Sequence, residues 1–327
     1  MVGDTMKNHT GKTFFVFVSF ILMFFCHQVL ATEYKIGLAT WSGYPQCVQG
    51  FKDALASRGL VESKQLTFIQ GAIGADKILQ RKVAHNLKKQ NIDLVFSLTT
   101  PGTTIIKEVF PTNTPIVFSI VTYPADSGLI ESFEYSNNNL VGTSNYVPLS
   151  HSIDLLLGVL PTTKSVAIFH RKGEPNSKIQ TANLYRYFNK SGIKVIVVAV
   201  DSIKELKVKA MALVNDVDVF VTTTDTLIQS GGGQALIELS LTHKIPILSS
   251  NKSGIEQGAT FGVVTDFYKL GNMAGEMAAH ILLDKALPEN IESKLQEPPT
   301  YLFNKKSMNK LGINVPENLP FEIQWTK

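Results

Sequence analysis

Five apolar, strand-like segments of this chain return in the same order about 130 residues later. "YKIGLAT", residues 34–40, is answered by "KSVAIFH", residues 164–170, and "QLTFIQG" by "IKVIVVAV". "NIDLVFSLTTPGTTI" is matched by "DVDVFVTTTDTLIQSGGGQAL", and "NTPIVFSIVTYP" by "KIPILSSNKSG". "NLVGTSNYVPLSHSIDLLL" is echoed by "GATFGVVTDFYKLGNMAGEMAAHIL", so each copy closes on a strand, a short polar turn and a long apolar helix. A period this long describes two similar lobes of roughly 120 residues each, not a solenoid.

Within each copy, runs rich in Val, Ile and Phe alternate with amphipathic patterns. In "PQCVQGFKDALASRG", Val48, Phe51 and Leu55 share a helical face and Gly59 marks the stop. Continuous apolar strands between amphipathic helices are the signature of a parallel sheet covered on both faces. The fold class is therefore α/β, with two similar doubly wound parallel-sheet lobes joined by a hinge. No low-complexity linker separates the halves, and the turns "GTSNY" and "VTDFY" are the expected connections. Each copy's last helix then packs on the opposite lobe. This assigns 32–144 plus 266–290 to the first lobe and 145–265 plus 291–327 to the second, with the C-terminal segment adding a last crossing. Two lobes on a polar hinge make a closable cleft.

In open parallel sheets, ligands bind beyond the carboxyl ends of the strands. Those ends carry Trp41 and Tyr44, Thr99 and Thr100, Asn145, Asn176 and Ser177, Thr222 to Thr226 with Asp225, and Asp266. Hydroxyls and amides dominate, which suits hydrogen bonding better than catalysis. A helix opening near Pro101 or Gly102 presents unpaired N–H groups and the positive end of its dipole, and Thr99, Thr100 and Thr103 add hydroxyls. That makes a small anion site, suited to a carboxylate; the plainer alternative is that a threonine merely caps the helix. "HRKGEPNSKIQ", with Asn176 and Ser177, offers a second helix start under the same two readings. Asp225 and Asp266 are candidates to pair with a ligand ammonium, or else N-caps. Trp41 and Tyr44 are candidates to wall the pocket and stack on a flat side chain, or else core aromatics.

The chain begins with Lys7 and Lys12, the run "TFFVFVSFILMFF" and small Ala31, a pattern that reads as a secretory signal peptide over 1–31 cleaved after Ala31. A retained membrane anchor is the alternative, although the run is short for a full span. After cleavage Cys47 is the one remaining cysteine, so no internal disulfide can form and the hydrophobic cores must hold the fold. The net charge of +4 is small and evenly spread, which argues against a nucleic-acid partner. The expected localisation is periplasmic.

Enzyme motifs fail one by one. Gly11-Lys12-Thr13 lacks the upstream glycine of a phosphate loop, and "SGGGQ" lacks its lysine and reads as a flexible turn. No G-x-S-x-G elbow is present, and the histidines lack metal-ligand spacing. Glu174 and Asp225 are conceivable as an acid/base pair, but nothing in the sequence places them together. No cofactor, no metal and no catalytic residue is expected.

The segments "TTPGTTI", "TPIVFSIVTYPADSGLIES", "NLVGTSNY", "GEPNSKIQ", "TTTDTLI" and "KKSMNKLGINVPENL" carry a resemblance. The chain resembles the ABC-transporter substrate-binding protein family that includes the TrpX-like tryptophan- and phenylalanine-binding proteins, over essentially all of its length after the signal segment. The resemblance implies the type I periplasmic-binding-protein fold and an amino acid held between the lobes. It implies that Thr99, Thr100 and Thr103, with Asn176 and Ser177, grip the carboxylate and Asp225 the ammonium. It also implies a monomer serving an ABC permease and ATPase. The chain departs from the family pattern at Tyr123 and Asn145, where many members carry aspartate, and at "WSGYPQ" after the first strand. The rival reading is a receptor subunit feeding a membrane sensor kinase or cyclase, whose binding chemistry is the same.

Overall fold

The structure, a computed structural model, describes residues 1–3 and 33–326. The expected signal segment, its cleavage site and the Gly11-Lys12-Thr13 run lie outside the described residues.

The first repeat forms β1 (Tyr34–Ala39), α1 (Pro45–Ser57), β2 (Leu66–Gln70), α2 (Lys77–Lys88), β3 (Leu94–Leu98), α3 (Thr100–Val109), β4 (Ile116–Ser119), β5 (Leu140–Ser144) and α4 (Leu149–Val159). The second forms β6 (Ser165–Arg171), α5 (Pro175–Lys190), β7 (Lys194–Val200), α6 (Ile203–Met211), β8 (Val219–Thr222), α7 (Gly233–His243), β9 (Ile247–Leu248), α8 (Lys252–Gln257), β10 (Phe261–Val264) and α9 (Phe267–Asp284). β11 (Lys294–Leu295), β12 (Thr300–Phe303), α10 (Lys305–Leu311) and β13 (Ile323–Trp325) follow.

The repetition seen in the sequence is a repetition in space. One sheet runs β11-β5-β4-β3-β1-β2 and the other β13-β12-β10-β9-β8-β6-β7, so the duplicated strands occupy the same order in both. Pairing is parallel among the duplicated strands, with Ile36 beside Leu94 in one sheet and Val166 beside Val219 in the other. β12 returns antiparallel to β10. Each sheet is covered on both faces. Ile36, Phe51 and Phe96 pack on one side of the first sheet, and Val95, Ile106 and Phe118 on the other. Fully burying each such side chain contributes about 1.5–3 kcal/mol.

The last helix of each repeat packs on the opposite lobe. α9 follows β10 but lies against α1, adding Met277, Ile281 and Leu282 to the first lobe's core. α4 follows β5 but joins Ile168, Phe188 and Phe261 in the second. The α1–α9 contact is close enough to require glycine: a Cβ on Gly271 would stand 1.9 Å from the Cys47 carbonyl oxygen. The chain therefore passes between the sheets at 145–148, at 265–266 and again at 296–299. Because β11 pairs with β5, the first sheet reaches Leu295, and the boundary expected at 290 falls short of it.

The glycine run expected as a flexible turn is a kink between helical turns. Ile228–Gly232 form a π-helical turn whose backbone leaves helical geometry at Ser230 (φ −100°, ψ 34°) and Gly231 (φ 114°, ψ −15°) before Gly232 and Gly233 enter α7.

Candidate functional site

The strand ends of the first lobe converge on the start of α3. β1 runs into Trp41, whose backbone turns left-handed (φ 52°), as does Tyr44 (φ 45°) where α1 begins. These turns bring the Trp41 ring beside α3. A Cβ on Gly102 would stand 3.5 Å from Trp41 Cε3 and 3.6 Å from Nε2 of Gln80, which comes from α2. Trp41 and Gln80 are each 1% exposed. Trp41 Nε1, both amide atoms of Gln80 and Thr100 Oγ1 have no hydrogen-bond partner among the described residues.

The hydroxyl cluster divides its labour. Thr99 caps α3 by accepting from the Gly102 N–H at 3.3 Å. It holds φ 70° and ψ 155°, a conformation that costs a non-glycine residue about 1–3 kcal/mol and that concentrates at functional sites. Thr103 Oγ1 is paired with Ser97 Oγ at 2.8 Å, and Thr104 Oγ1 donates to the Thr100 carbonyl at 2.9 Å. Capping and internal bonding thus account for three of these threonines, and the Thr100 hydroxyl remains for something else.

The second lobe presents carboxylates and amides. Asp225, fully buried, accepts from the Arg171 N–H and the Thr223 hydroxyl on Oδ2, and from the Ile228 N–H on Oδ1, each at 2.8 Å. Burial, and then the neighbouring Glu174 carboxylate, push its pKa up to about 6 against the pull of those donors. Glu174, 3% exposed, pairs with the Arg171 guanidinium at 3.1 Å and accepts from the Thr226 N–H and hydroxyl. The structure therefore does place Glu174 beside Asp225. Asn176 donates its amide to the Thr224 carbonyl at 3.1 Å and leaves Oδ1 unpartnered among the described residues. Ser177 commits its hydroxyl to the Arg171 and Glu174 carbonyls.

The two sets of strand ends meet. The Tyr44 hydroxyl, its pKa pushed up chiefly by burial against the pull of Ser42, also feels Glu174 and Asp225 of the other lobe. Ser230 Oγ donates to Ser42 Oγ at 3.4 Å, and Lys77 Nζ to the Gly173 carbonyl at 3.4 Å. Nearer the crossings, Thr122 donates to Asn145 Oδ1 at 3.0 Å, and its hydroxyl lies 2.9 Å from that of Thr224. Thr224 in turn meets Gln180 Oε1 through both its N–H and its hydroxyl. These contacts describe a closed cleft. Asn145 stands in this bridge beside the cleft. Asp266 stands apart: it caps α9 through Tyr268 and Lys269 N–H and pairs with Lys252. Burial pushes its pKa up, but Lys252 and the helix N–H donors prevail and hold it below the usual range.

The sequence matches the ABC transporter substrate binding protein family over residues 42–324. The chain belongs to that family. Members are non-enzymatic solute receptors, and this substrate-binding protein is one. It is 27% identical to a tyrosine-binding protein of Clostridioides difficile, over 85% of this chain and 81% of that protein. Its fold matches a Streptococcus pneumoniae ABC domain crystallised with L-Trp at a TM-score of 0.84, with 24% identity over 90% of this chain and all of that one. It matches the ligand-free, open structure of a Clostridium difficile substrate-binding protein with adhesive properties at 0.68, with 25% identity over 90% and 100% of the two chains.

In this substrate-binding protein the residues that sequence reasoning overlooked are Gln80, Gln229 and Arg171, the partner of Glu174. Gln80 had a signal. It lies on the α2 stripe with Val83, Ala84 and Leu87, where a glutamine interrupts an otherwise apolar face. Gln229 had none, because its position depends on the π-helical turn.

Proposed function

We propose that this protein is the exported binding component of an ABC importer and closes its two lobes around a zwitterionic amino acid with a flat, aromatic side chain. The observation that carries the reading is the convergence of buried polar atoms without partners on one cleft. Trp41 Nε1, Gln80, Thr100 Oγ1 and Asn176 Oδ1 are all buried between or beside the lobes, and such atoms are costly unless something hydrogen-bonds to them. Donors at the start of α3 suit a carboxylate. The acidic second lobe suits an ammonium, and Trp41 with Tyr44 suits a ring. The tyrosine-binding relative and the L-Trp complex support this ligand class.

Delivery follows from closure. The closed form, bridged by Thr122 and Thr224, is the one a membrane permease and its ATPase would receive. The working protein is a monomer in the periplasm, released after cleavage behind Ala31. A thermal-shift screen of the refolded chain against amino acids, sugars and nucleosides tests the reading. A ligand at about a thousand times its Kd adds roughly 4 kcal/mol, which is several degrees in Tm. A shift with aromatic amino acids is expected; stabilisation by sugars or nucleosides alone rejects the zwitterion.

A further inference from the structure

We propose that the ligand's ammonium is received by two side-chain amide oxygens, Oδ1 of Asn176 and Oε1 of Gln229, and not directly by the Asp225 carboxylate. This rests on the amino-acid reading above and deepens it by naming the acceptors.

The two amides are anchored to the same atom. Asn176 Nδ2 donates to the Thr224 carbonyl oxygen at 3.1 Å, and Gln229 Nε2 donates to it at 3.0 Å. A carbonyl oxygen only accepts, so each amide must turn its NH₂ toward Thr224 and its oxygen away. The usual ambiguity in amide orientation is thereby resolved by chemistry. Both oxygens are buried and neither has a partner among the described residues. Two acceptors fixed beside one backbone carbonyl, with no donor among the described residues to satisfy them, match a group that brings several N–H donors.

Asp225 is poorly placed to be that partner. A carboxylate offers about four acceptor directions, and three are taken by Arg171, Thr223 and Ile228. Its bonds tie β6, the segment after β8 and the π-helical turn together. That turn is what carries Gln229, so Asp225 positions an acceptor instead of serving as one. Its charge still matters at longer range. Among the described residues the Arg171 guanidinium pairs with Glu174, while Asp225 accepts from two backbone N–H groups and a hydroxyl, so two buried carboxylates stand against one guanidinium and leave the region negative and favourable to a cation. The role is therefore split: neutral oxygens make the contacts, and the carboxylates supply the field. This reverses the role that the family resemblance implies for Asn176.

The test is a double-mutant cycle between protein and ligand, read by calorimetry on the full chain. L-tyrosine, L-tryptophan and L-phenylalanine are each titrated beside the propionic-acid analogue that lacks only the amino group. For the unsubstituted chain the amino acid is expected to bind at least a hundredfold tighter than its analogue. In Asn176→Leu and in Gln229→Met that ratio is expected to fall at least tenfold, because the acceptors are gone while the carboxylate contacts remain. In Asp225→Asn it is expected to fall about threefold. Circular dichroism and Tm of each variant exclude misfolding, and the ligand-side change disturbs no fold at all. A ratio that survives both amide substitutions but collapses in Asp225→Asn overturns the inference. Equal binding of amino acid and analogue by the unsubstituted chain overturns it too, while leaving a carboxylate-binding receptor. Binding of no amino acid overturns it together with the reading on which it rests.

Discussion

The two lobes share a strand order and differ at their strand ends. In the first lobe the cleft groups without a partner among the described residues are neutral: the Tyr44 hydroxyl, and, near the start of α3, the Trp41 N–H, the Gln80 amide and the Thr100 hydroxyl. In the second, two buried carboxylates, Glu174 and Asp225, and the Arg171 guanidinium belong to the same lobe as the amides of Asn176 and Gln229, both anchored on the Thr224 carbonyl. Duplication preserved the sheets because burial on both faces fixes what a strand can contain. It left the loops beyond the strands free to diverge, since they contribute little to the cores. On the amino-acid reading proposed above, the first lobe becomes the donor side of the cleft, with Gln80 Oε1 an unpaired acceptor among the donors, and the second the acceptor side.

The largest effect that can break this contrast is at Trp41. Trp41→Ala removes a fully buried ring and is expected to cost about 3–5 kcal/mol of stability and to weaken aromatic amino-acid binding about a hundredfold, by urea unfolding and calorimetry respectively. Next comes Gln80→Leu. It is expected to weaken the amino acid and its deaminated analogue alike, by about tenfold each, since the donor side serves the carboxylate that both share. Unequal losses would dissolve the division between the lobes.

Acidity should act on the acceptor side. Asp225 has a folded pKa of about 6, above its ordinary 3.8, so its contribution to stability is present below 3.8 and is lost as pH rises through about 6. Ligand affinity runs the other way. Going from pH 7.5 to pH 5 protonates Asp225, weakens the field that Glu174 and Arg171 share with it, and is expected to lower amino-acid affinity about threefold. Asp225→Asn should flatten that profile in isothermal titrations.

The smallest and sharpest test separates neighbouring threonines. Thr103→Val leaves the Ser97 hydroxyl unpaired and is expected to cost about 1 kcal/mol of stability with little change in affinity. Thr100→Val is expected to leave Tm unchanged and reduce affinity a few-fold. The opposite pattern in paired melting and binding curves would return the α3 start to a purely structural role.

Much of the architecture was legible from the chain. Val/Ile/Phe runs such as "LVFSL" and "VFVT" belong to strands buried on both faces, and their fivefold recurrence places two equivalent sheets side by side. The polar turns after β5 and β10 are crossings, as their sequences indicate. The candidate residues were partly legible, because strand ends can be counted. Gln80 is readable as a polar residue on an apolar stripe.

What a residue does at a strand end is a different matter. Thr99, Thr100 and Thr103 look interchangeable in sequence, yet one caps, one is bonded to Ser97 and one is free to bind. Asp225 and Asp266 look alike too, but one organises the cleft and the other caps α9 beside Lys252. Hydropathy and its periodicity are local properties of a chain, so the sequence by itself determined the strands, their duplication and the existence of a cleft. Hydrogen-bond partners are set by distances of about 3 Å between segments far apart in sequence. Only the tertiary structure could bring Gln229 and Asn176 to one carbonyl, and Glu174 to Asp225.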